Sequence, residues 1–443
     1  MMLCHVASRS ARLEPWICIS LISLSCYGPN PNYVGASEIA ADTGDDSESS
    51  ERGDSSESDA QTSSETTETE TETETGIDDN DTDEPDPSCG NAIAEFGEFC
   101  FGFVQLLELS EVQALATADF DGDELLDLAV TRKDDVLVLF GDGSGGFPFQ
   151  TNLPEPNSNY FGAAGGDLDG DQIADLAVAG ESIDAILVYR SLGGGAFAEP
   201  VAFATGDQPQ RMQLADLDGD AVLDLLVAVK NQDAIQRFRG DGSAGFGEPT
   251  SFASGGDQPG ELNLGLMDLD AAPDLIVANF SGQSLSLLLG AGPGEFASPQ
   301  LFPLAGKPRS TAIMDFNLDG HLDVAAALED RDRVQILPGD GLGGLVDHGV
   351  EILVGDRPMG AVASDFDLDG APDLLIINHD DATVGLLFGA SEQPGEFAAQ
   401  LLVVWFNGFA NMSTVVRADL NGDTVDDVII GGGGGVRAMI SNP

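Results

Sequence analysis

Aspartates recur along this chain at spacings that suit the oxygen ligands of a hard divalent cation. The first set lies in the nine-residue loop from Asp119 to Asp127. Comparable loops begin at residues 167, 216, 266, 315, 365 and 419, at intervals of 48 to 54 residues. Side-chain oxygens at loop positions 1, 3, 5 and 9, with a backbone carbonyl at position 7, fit calcium above all. The spacing therefore predicts a cation in each of several repeated loops.

The loops differ in the ligands that they offer. Loops 1, 2, 3 and 6 supply four aspartates each: Asp119, Asp121, Asp123 and Asp127; Asp167, Asp169, Asp171 and Asp175; Asp216, Asp218, Asp220 and Asp224; Asp365, Asp367, Asp369 and Asp373. Loops 5 and 7 carry asparagine at position 3: Asp315, Asn317, Asp319 and Asp323; Asp419, Asn421, Asp423 and Asp427. The carbonyls expected at position 7 belong to Leu125, Ile173, Val222, His321, Ala371 and Val425.

Loop 4 departs from this pattern. Leu266 occupies its position 1, which leaves Asp268, Asp270 and Asp274 as acidic ligands. A loop with fewer oxygen ligands holds calcium less tightly, so we expect loop 4 to bind weakly or not at all. The sequence thus predicts about six structural calcium ions rather than seven.

Two alternatives to a propeller-type calcium loop can be weighed from the residues. Asx-type turns without metal would also use aspartate. However, four converging carboxylates repel one another, and few lysines or arginines adjoin the loops, so a bound cation is favoured. An EF-hand needs flanking helices and a glutamate at position 12. Position 12 of loop 1 is Val130, inside a strand-like apolar run, which excludes the EF-hand.

The same short apolar segments flank each loop, in the same order. One segment precedes the loop, and a run such as Leu128–Val130 follows it. After a polar turn comes a second run, such as Val136–Phe140, and then a glycine-rich turn before an aromatic residue such as Phe147. Short runs bounded by Gly, Asp and Pro are typical of strands. The pattern predicts four antiparallel strands, A to D, in each repeat, with a period typical of propeller blades.

These repeats resemble the FG-GAP and VCBS repeats, known from the β-propeller head of integrin α subunits. The resemblance covers residues 101–443 and implies an all-β, seven-bladed β-propeller of four-stranded blades, with calcium in the A–B loops of several blades. After loop 7 only two strand-like runs remain. The segment Cys100–Leu107 has the glycine-aromatic signature of a D strand, so we predict that it completes blade 7 and closes the ring.

The chain before the repeats divides into three segments. Residues 1–26 have the basic start and short apolar stretch of a signal peptide, too short for a permanent membrane span. Its end resembles a bacterial lipobox, which would make Cys26 a lipidation site; ordinary cleavage near Gly28 or Ala36 is the alternative. Residues 27–88, rich in Ser, Thr, Glu and Asp, are predicted to be a disordered linker. We expect export, as an outer-membrane lipoprotein on the cell surface or as a secreted protein.

Two cysteines bound the third segment, residues 89–100. This segment resembles the first part of a small cysteine-rich repeat of bacterial surface proteins. A close, even pair in an exported chain favours a disulfide between Cys89 and Cys100. Half a zinc site is the alternative, but neither another cysteine nor a histidine lies nearby in the sequence.

The charge pattern bears on partners. A net charge of −60 excludes non-specific binding to nucleic acid, and it leaves a lipid anchor as the one expected link to a membrane. On the face opposite the acidic loops, four arginines from neighbouring blades are a candidate positive arc for an anionic glycan or protein segment: Arg309, Arg331, Arg333 and Arg357. Local pairing with nearby aspartates is the alternative. Trp405, Phe406 and Phe409 could stack on a ligand or fill a long loop.

Motifs for catalysis are absent from the sequence. It contains no nucleophile elbow, zinc motif or phosphate loop, so no catalytic residue is assigned. Arg239-Gly240-Asp241 spells the tripeptide that integrins recognise, but its place on a repeated glycine turn explains it. The sequence predicts a monomeric, calcium-stabilised binding or adhesion module for an extracellular glycan or protein. The alternative is a polysaccharide lyase or hydrolase on the same scaffold, which fold alone does not exclude.

Overall fold

The computed structural model describes residues 16–20, 98–109, 111–153, 158–346, 349–389, 397, 401–405, 409 and 411–441. Strands and tight turns make up almost all of these residues. The two helical segments among them are single 3-10 turns, at Glu181–Ile183 and Lys230–Gln232. The predicted all-β class is confirmed.

Seven antiparallel sheets form the blades of a propeller, and in blades 1 to 6 the strands follow chain order. Strand numbers run along the chain from β1 (Trp16–Ser20) and β2 (Glu98–Leu107). Blade 1 contains β3 (Val112–Ala118), β4 (Asp127–Arg132), β5 (Val136–Phe140) and β6 (Phe149–Leu153). Blade 2 contains β7 (Tyr160–Gly166), β8 (Asp175–Gly180), β9 (Ala185–Tyr189) and β10 (Val201–Ala204). Blade 3 contains β11 (Pro209–Ala215), β12 (Asp224–Val229), β13 (Ala234–Phe238) and β14 (Thr250–Ala253).

The remaining blades repeat this plan. Blade 4 contains β15 (Pro259–Gly265), β16 (Asp274–Asn279), β17 (Ser284–Leu288) and β20 (Gln300–Pro303), with a small hairpin of β18 (Gly290–Gly292) and β19 (Glu295–Phe296). Blade 5 contains β21 (Pro308–Met314), β22 (Asp323–Leu328), β23 (Arg333–Leu337) and β24 (Val350–Leu353). Blade 6 contains β25 (Pro358–Ser364), β26 (Asp373–Asn378), β27 (Thr383–Leu387) and β28 (Leu401–Trp405).

Blade 7 joins the two ends of the domain. It contains β29 (Met412–Ala418), β30 (Asp427–Gly432) and β31 (Gly435–Ser441), and its fourth strand is β2. β2 pairs antiparallel with β31, from Phe101 opposite Ser441 to Leu107 opposite Val436. The predicted closure by an N-terminal strand is confirmed.

The core lies between the blades. Within the described blades, hydrophobic residues form seven clusters, one at each contact between neighbouring blades. The B strands are nearly continuous apolar runs because each is covered on both faces, and β12 is buried throughout. The outer strands face solvent on one side, as in β14. In the cluster between blades 7 and 1, Val112 and Leu128 pack with Leu420 and Ile429, so packing also closes the ring.

Each A strand carries one register shift near its start, in all seven blades. A β-bulge places an extra residue against the partner strand and re-aims a side chain. The acidic loop follows the end of the same strand. The seven bulges therefore lie at the end of the central channel that is remote from the acidic loops.

The described part of the N-terminal region consists of β1 and the start of β2. β1 pairs with β2 as a fifth strand of the blade 7 sheet, in a register that sets Cys18 opposite Cys100. Most of the predicted signal peptide with Cys26, the linker, and Cys89 lie outside the described residues. Across the described segments, no helix is long and apolar enough to cross a membrane.

Candidate cation loops and central channel

The acidic loops connect strands A and B in every blade, so they share one face of the ring. Aspartates inside each loop shape its backbone. In loop 1, the Asp119 carboxylate accepts hydrogen bonds from the N–H groups of Gly122 at 2.7 Å and Glu124 at 2.9 Å. Asp123 Oδ1 accepts from Leu125 N–H at 2.9 Å. These short-range bonds fold the loop around its acids, as Asx turns do.

Six loops share a backbone conformation that loop 4 lacks. Their positions 4 and 6 are both left-handed, as at Gly122 with φ of 84° and Glu124 with φ of 69°. The corresponding pairs are Gly170 and Gln172, Gly219 and Ala221, Leu318 and Gly320, Leu368 and Gly370, and Gly422 and Thr424. In loop 4 the same positions, Leu269 and Ala271, do not have positive φ. Loop 4 therefore differs from the others in backbone shape as well as in its leucine, and its weak binding stays a prediction.

Four loops bring three carboxylates together, with ligand atoms within 4.8 Å of one another. The clusters are Asp119, Asp121 and Asp127; Asp167, Asp169 and Asp175; Asp216, Asp218 and Asp220; and Asp365, Asp367 and Asp373. Such an arrangement of oxygen donors could hold a metal ion and is compatible with calcium. Loops 5 and 7 have two aspartates and an asparagine in the corresponding places. The donor chemistry thus fits a hard cation, as the sequence predicts, while the number of ions stays a prediction.

The position 9 aspartates have a structural role that the sequence did not show. Asp127 Oδ2 accepts Phe120 N–H at 2.8 Å, and Oδ1 accepts Gly141 N–H at 2.8 Å, so the carboxylate joins the loop to the turn between strands C and D. The same bond to the C–D turn is made by position 9 in blades 2 to 6: Asp175, Asp224, Asp274, Asp323 and Asp373. In blade 7, whose strand D comes from the N-terminal side, Asp427 accepts the N–H of Ser441, the last residue of β31. All seven are buried. These residues hold the blade together in addition to facing the cation site.

Burial disfavours the charged form of these carboxylates. Burial raises the pKa of Asp127, Asp175, Asp323 and Asp427 to about 6, and neighbouring aspartates add to the effect. It raises the pKa of Asp373 to about 8, with Asp367 as the next largest cause. A cation held in the loop would favour the charged form and lower these pKa values again.

The loops also contact the next blade. The carbonyls at position 2 of loops 2, 3 and 4 accept N–H groups from C–D turns one blade further on: Ala244 to Leu168 at 3.0 Å, Gly294 to Leu217 at 2.8 Å and Gly343 to Met267 at 3.2 Å. In loop 1 the corresponding Phe120 carbonyl accepts the Ser191 hydroxyl at 2.7 Å. A cation that orders a loop would therefore also order a blade–blade contact.

The A strands surround a central channel with a cavity of about 310 Å³. Arg211, Glu261 and Arg309 lie at the channel mouth, at the bulged ends of the A strands. Arg211 Nε lies 3.5 Å from Glu261 Oε2, and its Nη1 donates to the Gln113 carbonyl at 3.4 Å. Burial raises the pKa of Glu261, against the pull of both arginines, and burial lowers the pKa of Arg309. The guanidinium of Arg309 lies 5.7 Å from the centre of the Phe280 ring.

The four arginines of the predicted arc occupy different surroundings. Arg309 is at the channel mouth, where burial lowers the pKa of Arg309 and repulsion by the positive charge of Arg357 adds a smaller effect in the same direction. Arg357 pairs with Glu329 at 3.0 Å and Asp380 at 3.4 Å. Arg333, on β23, lies 3.6 Å from Glu351 on the outer strand β24, whereas Arg331 is exposed. Local pairing therefore engages two of the four.

Sequence reasoning placed Arg211 on this face only as one of its nine basic residues, and it missed Glu261. Each stands two residues after the proline that begins an A strand, Pro209 or Pro259. That shared offset was a usable signal. The sequence does not show where these two side chains point, because that depends on the β-bulge at the start of each A strand.

Two smaller sequence observations can be placed. Phe409 is fully buried in the cluster between blades 6 and 7, with the Arg437 guanidinium 4.8 Å from its ring centre, so it fills the core. Phe406 and the side chain of Trp405 lie outside the described part. In the Arg-Gly-Asp tripeptide, Arg239 pairs with Asp218 and Asp220, while Asp241 accepts Ser243 N–H at 2.8 Å. Both charged side chains are engaged within their own repeat.

A model of the FG-GAP-like repeat matches residues 119–178, 167–227, 267–326 and 315–376. Each match spans two acidic loops or nearly so. The chain contains FG-GAP-like repeats. The resemblance to FG-GAP repeats inferred from the acidic loops is thereby confirmed. No significant sequence match was found among curated proteins.

Solved structures share the fold of these FG-GAP-like blades. BBS1N, solved in complex with ARL6DN, has a TM-score of 0.54 and 14% identity over 77% of this chain and 96% of that chain. A streptogramin B lyase has a TM-score of 0.53 and 12% identity over 77% and 98%. A catalytically inactive virginiamycin B lyase from Staphylococcus aureus, solved with quinupristin, has a TM-score of 0.51 and 11% identity over 77% and 99%. At these identities the likeness is one of fold alone.

Proposed function

We propose that this chain is a calcium-stabilised extracellular β-propeller that acts as a binding or adhesion module for a glycan or protein ligand. The observation that carries the proposal is the convergence of three carboxylates in each of four A–B loops. Calcium would supply the positive charge that offsets their repulsion. Exported calcium modules typically bind at ~10⁻⁴–10⁻³ M, which matches an extracellular setting.

The loop residues connect cation binding to the stability of the ring. Asp127 holds loop 1 to its own C–D turn, and Phe120 holds the same loop to blade 2 through Ser191. Ordering one loop therefore strengthens contacts within and between blades. A ligand that binds only the folded state stabilises it by mass action.

The channel mouth supports an anionic ligand group. The Arg309 guanidinium lies over the Phe280 ring and feels the charges of Glu329 and Glu261, but among the described residues no acceptor is hydrogen-bonded to its five donors. Arg211 lines the same recess and forms an ion pair with Glu261. A carboxylate or sulfate of a glycan, or an acidic side chain of a protein, would complete the donors of Arg309. We propose this mouth, rather than the whole four-arginine arc, as the ligand site.

The enzymatic alternative concerns the same channel. Canonical glycoside hydrolysis uses a pair of carboxylates. In the described lining of the channel, Glu261 is the one carboxylate, and two arginines flank it. This composition favours recognition over hydrolysis. Lyase chemistry at Glu261 is tested by incubating the protein with a uronic-acid polysaccharide and following unsaturated products by ultraviolet absorbance. If wild type forms such products and Glu261→Gln does not, the enzymatic proposal would replace the binding proposal.

The binding proposal is tested with the full chain on an array of acidic and neutral polysaccharides, with and without chelator. Arg309→Gln should weaken binding to acidic members by about tenfold or more, because it removes the charged group whose hydrogen-bond donors the ligand would occupy. Arg331→Gln is the matched control, since Arg331 is exposed on the same face. Added salt should weaken the wild-type interaction through screening. Equal binding by both variants would move the ligand site away from the channel mouth.

Export remains part of the proposal. We propose that residues 1–26 direct export, that Cys26 is lipidated or the chain is secreted as a monomer, and that Cys89 and Cys100 form a disulfide. Radiolabelled palmitate incorporation into wild type but not Cys26→Ser would support the lipoprotein form. Free thiols at both Cys89 and Cys100 in the exported protein would contradict the disulfide.

A further inference from the structure

Loop 3 already contains a cation supplied by the protein itself. Arg237 lies on β13 and is 9% exposed. Its Nη2 and Nε lie 2.6 and 3.1 Å from Asp224 Oδ2, and Nη2 also lies 3.3 Å from Asp218 Oδ2. Asp218 and Asp224 are the position 3 and position 9 residues of the loop. The guanidinium therefore forms ion pairs with two of the four predicted ligands.

The arginine changes the hydrogen bonding of the loop. In the other six loops, the N–H of position 2 donates to the position 9 carboxylate: Phe120 to Asp127, Leu168 to Asp175, Met267 to Asp274, Phe316 to Asp323, Phe366 to Asp373 and Leu420 to Asp427. In loop 3 the oxygen that would accept this bond is taken by Arg237. The carboxylate cluster of loop 3 accordingly contains Asp216, Asp218 and Asp220 but not Asp224, whereas the other three clusters all include position 9.

An arginine at this site is specific to blade 3. Arg237 pairs with Leu226, the third residue of strand B, so strand pairing identifies the equivalent residue in every other blade as the one opposite the third residue of strand B. Those residues are Val138, Val188, Leu287, Ile336, Leu386 and Ala438, all of them apolar. Elsewhere this site is part of the core, so a charge here requires a buried partner.

The next blade is shaped to accept the guanidinium. Arg237 Nη1 donates to the Pro293 carbonyl at 3.4 Å, in the C–D turn of blade 4. A Cβ on Gly294 would lie 1.8 Å from the guanidinium carbon, and Gly294 has a φ of 69°. Glycine at 294 thus leaves the space that the arginine fills. A second arginine, Arg239, covers the loop from outside, 3.0 Å from Asp218 and 2.9 Å from Asp220.

We infer that Arg237 takes the place of calcium in loop 3, so that blade 3 is held by a side chain and not by a metal ion. A divalent cation beside Asp218 and Asp224 would be repelled by a guanidinium a few ångströms away. The inference rests on the proposed calcium binding of the other loops. It lowers the expected number of ions from about six to about five, because loop 3 joins loop 4 as a loop without metal.

Calcium titration of the full chain by calorimetry tests this. Arg237→Val, which installs the residue of blades 1 and 2, should raise the number of bound ions by one. Arg239→Val is the matched control: it removes an equal charge from the rim of the same loop and should leave the number unchanged. An unchanged number in Arg237→Val, or an equal rise in both variants, would overturn the inference.

Hydrogen exchange on the wild-type chain gives a second measurement that needs no variant. Chelator should speed amide exchange in loops 1, 2 and 6, while loop 3, between residues 216 and 224, should stay unchanged. Calcium-dependent protection of loop 3 would overturn the inference while leaving the calcium proposal intact. Absence of calcium binding in every loop would instead overturn the calcium proposal, and this inference with it.

Discussion

The ring of Phe101 packs edge-on against the ring of Phe366, with centroids 6.2 Å apart and planes at 66°. Phe101 belongs to β2, the N-terminal strand of blade 7, and Phe366 is position 2 of loop 6. Both side chains are buried in the cluster between blades 6 and 7. The closing strand therefore completes its own blade and also anchors the ring to the blade beside it.

Removing the Phe101 ring should destabilise the propeller. Phe101→Ala deletes a buried aromatic side chain, which typically costs about 3–5 kcal/mol of unfolding free energy. Phe149→Ala makes the same chemical change at a side chain that is 73% exposed, and it should change stability little. Urea denaturation of both variants measures the difference. Equal stability of the two would contradict the role of β2 as a closing strand.

Deleting residues 101–109 should open the ring. Blade 7 would lose its fourth strand, β2, and β31 would expose an unpaired edge that favours association with other chains. Size-exclusion chromatography should then show oligomers or aggregate, with a lower melting temperature. A deleted form that stays monomeric and equally stable would rule out this closure.

Calcium should raise the melting temperature of the full chain, and chelator should lower it. The reason is that a cation bound only by the folded state stabilises it. Differential scanning calorimetry in calcium and in chelator gives the shift, and magnesium at equal ionic strength is the control. An unchanged melting temperature would contradict the proposal that calcium stabilises the fold.

Two aspartates of loop 2 should separate metal binding from structural support. Asp175→Ala leaves the buried N–H groups of Leu168 and Ser191 without their acceptor, which costs about 1–3 kcal/mol each whether or not calcium is present. Asp171 is exposed, and its Oδ1 accepts Ile173 N–H at 3.0 Å. Asp171→Ala should therefore lower stability mainly when calcium is present. Equal losses for Asp171→Ala in calcium and chelator would remove Asp171 from the ligand set.

Without calcium, stability should fall as pH rises. The pKa of Asp127, Asp175, Asp323 and Asp427 is raised from 3.8 to about 6 in the folded state, so their contribution is present below pH 3.8 and is lost as pH rises through 6. Asp373 extends that loss to about pH 8. Melting temperatures in chelator should decline between pH 4 and 8, and calcium should flatten the decline. A rise over the same window in chelator would contradict the burial of uncompensated carboxylates.

The sequence by itself determined the repeat, the β class and the closing strand. A nine-residue acidic loop and the apolar runs around it are local patterns, and each recurs seven times, so registering them needs no knowledge of distant contacts. The D-strand signature at Cys100–Leu107 was likewise readable, because blade 7 lacked one strand and one unassigned strand-like segment remained. Local pattern and repetition sufficed for these features.

Only the tertiary structure decided which charged residues meet. Arg237 is 13 residues from Asp224 in sequence, and only the pairing of β12 with β13 brings its guanidinium to the carboxylates of loop 3. Arg211, Glu261 and Arg309 come from three successive blades and share the channel mouth because the A strands converge there. Arg333 and Arg357, equally basic in sequence, are neutralised by acids that face them. Side-chain direction and partners across strands are set by register and bulges, and these are properties of the assembled ring.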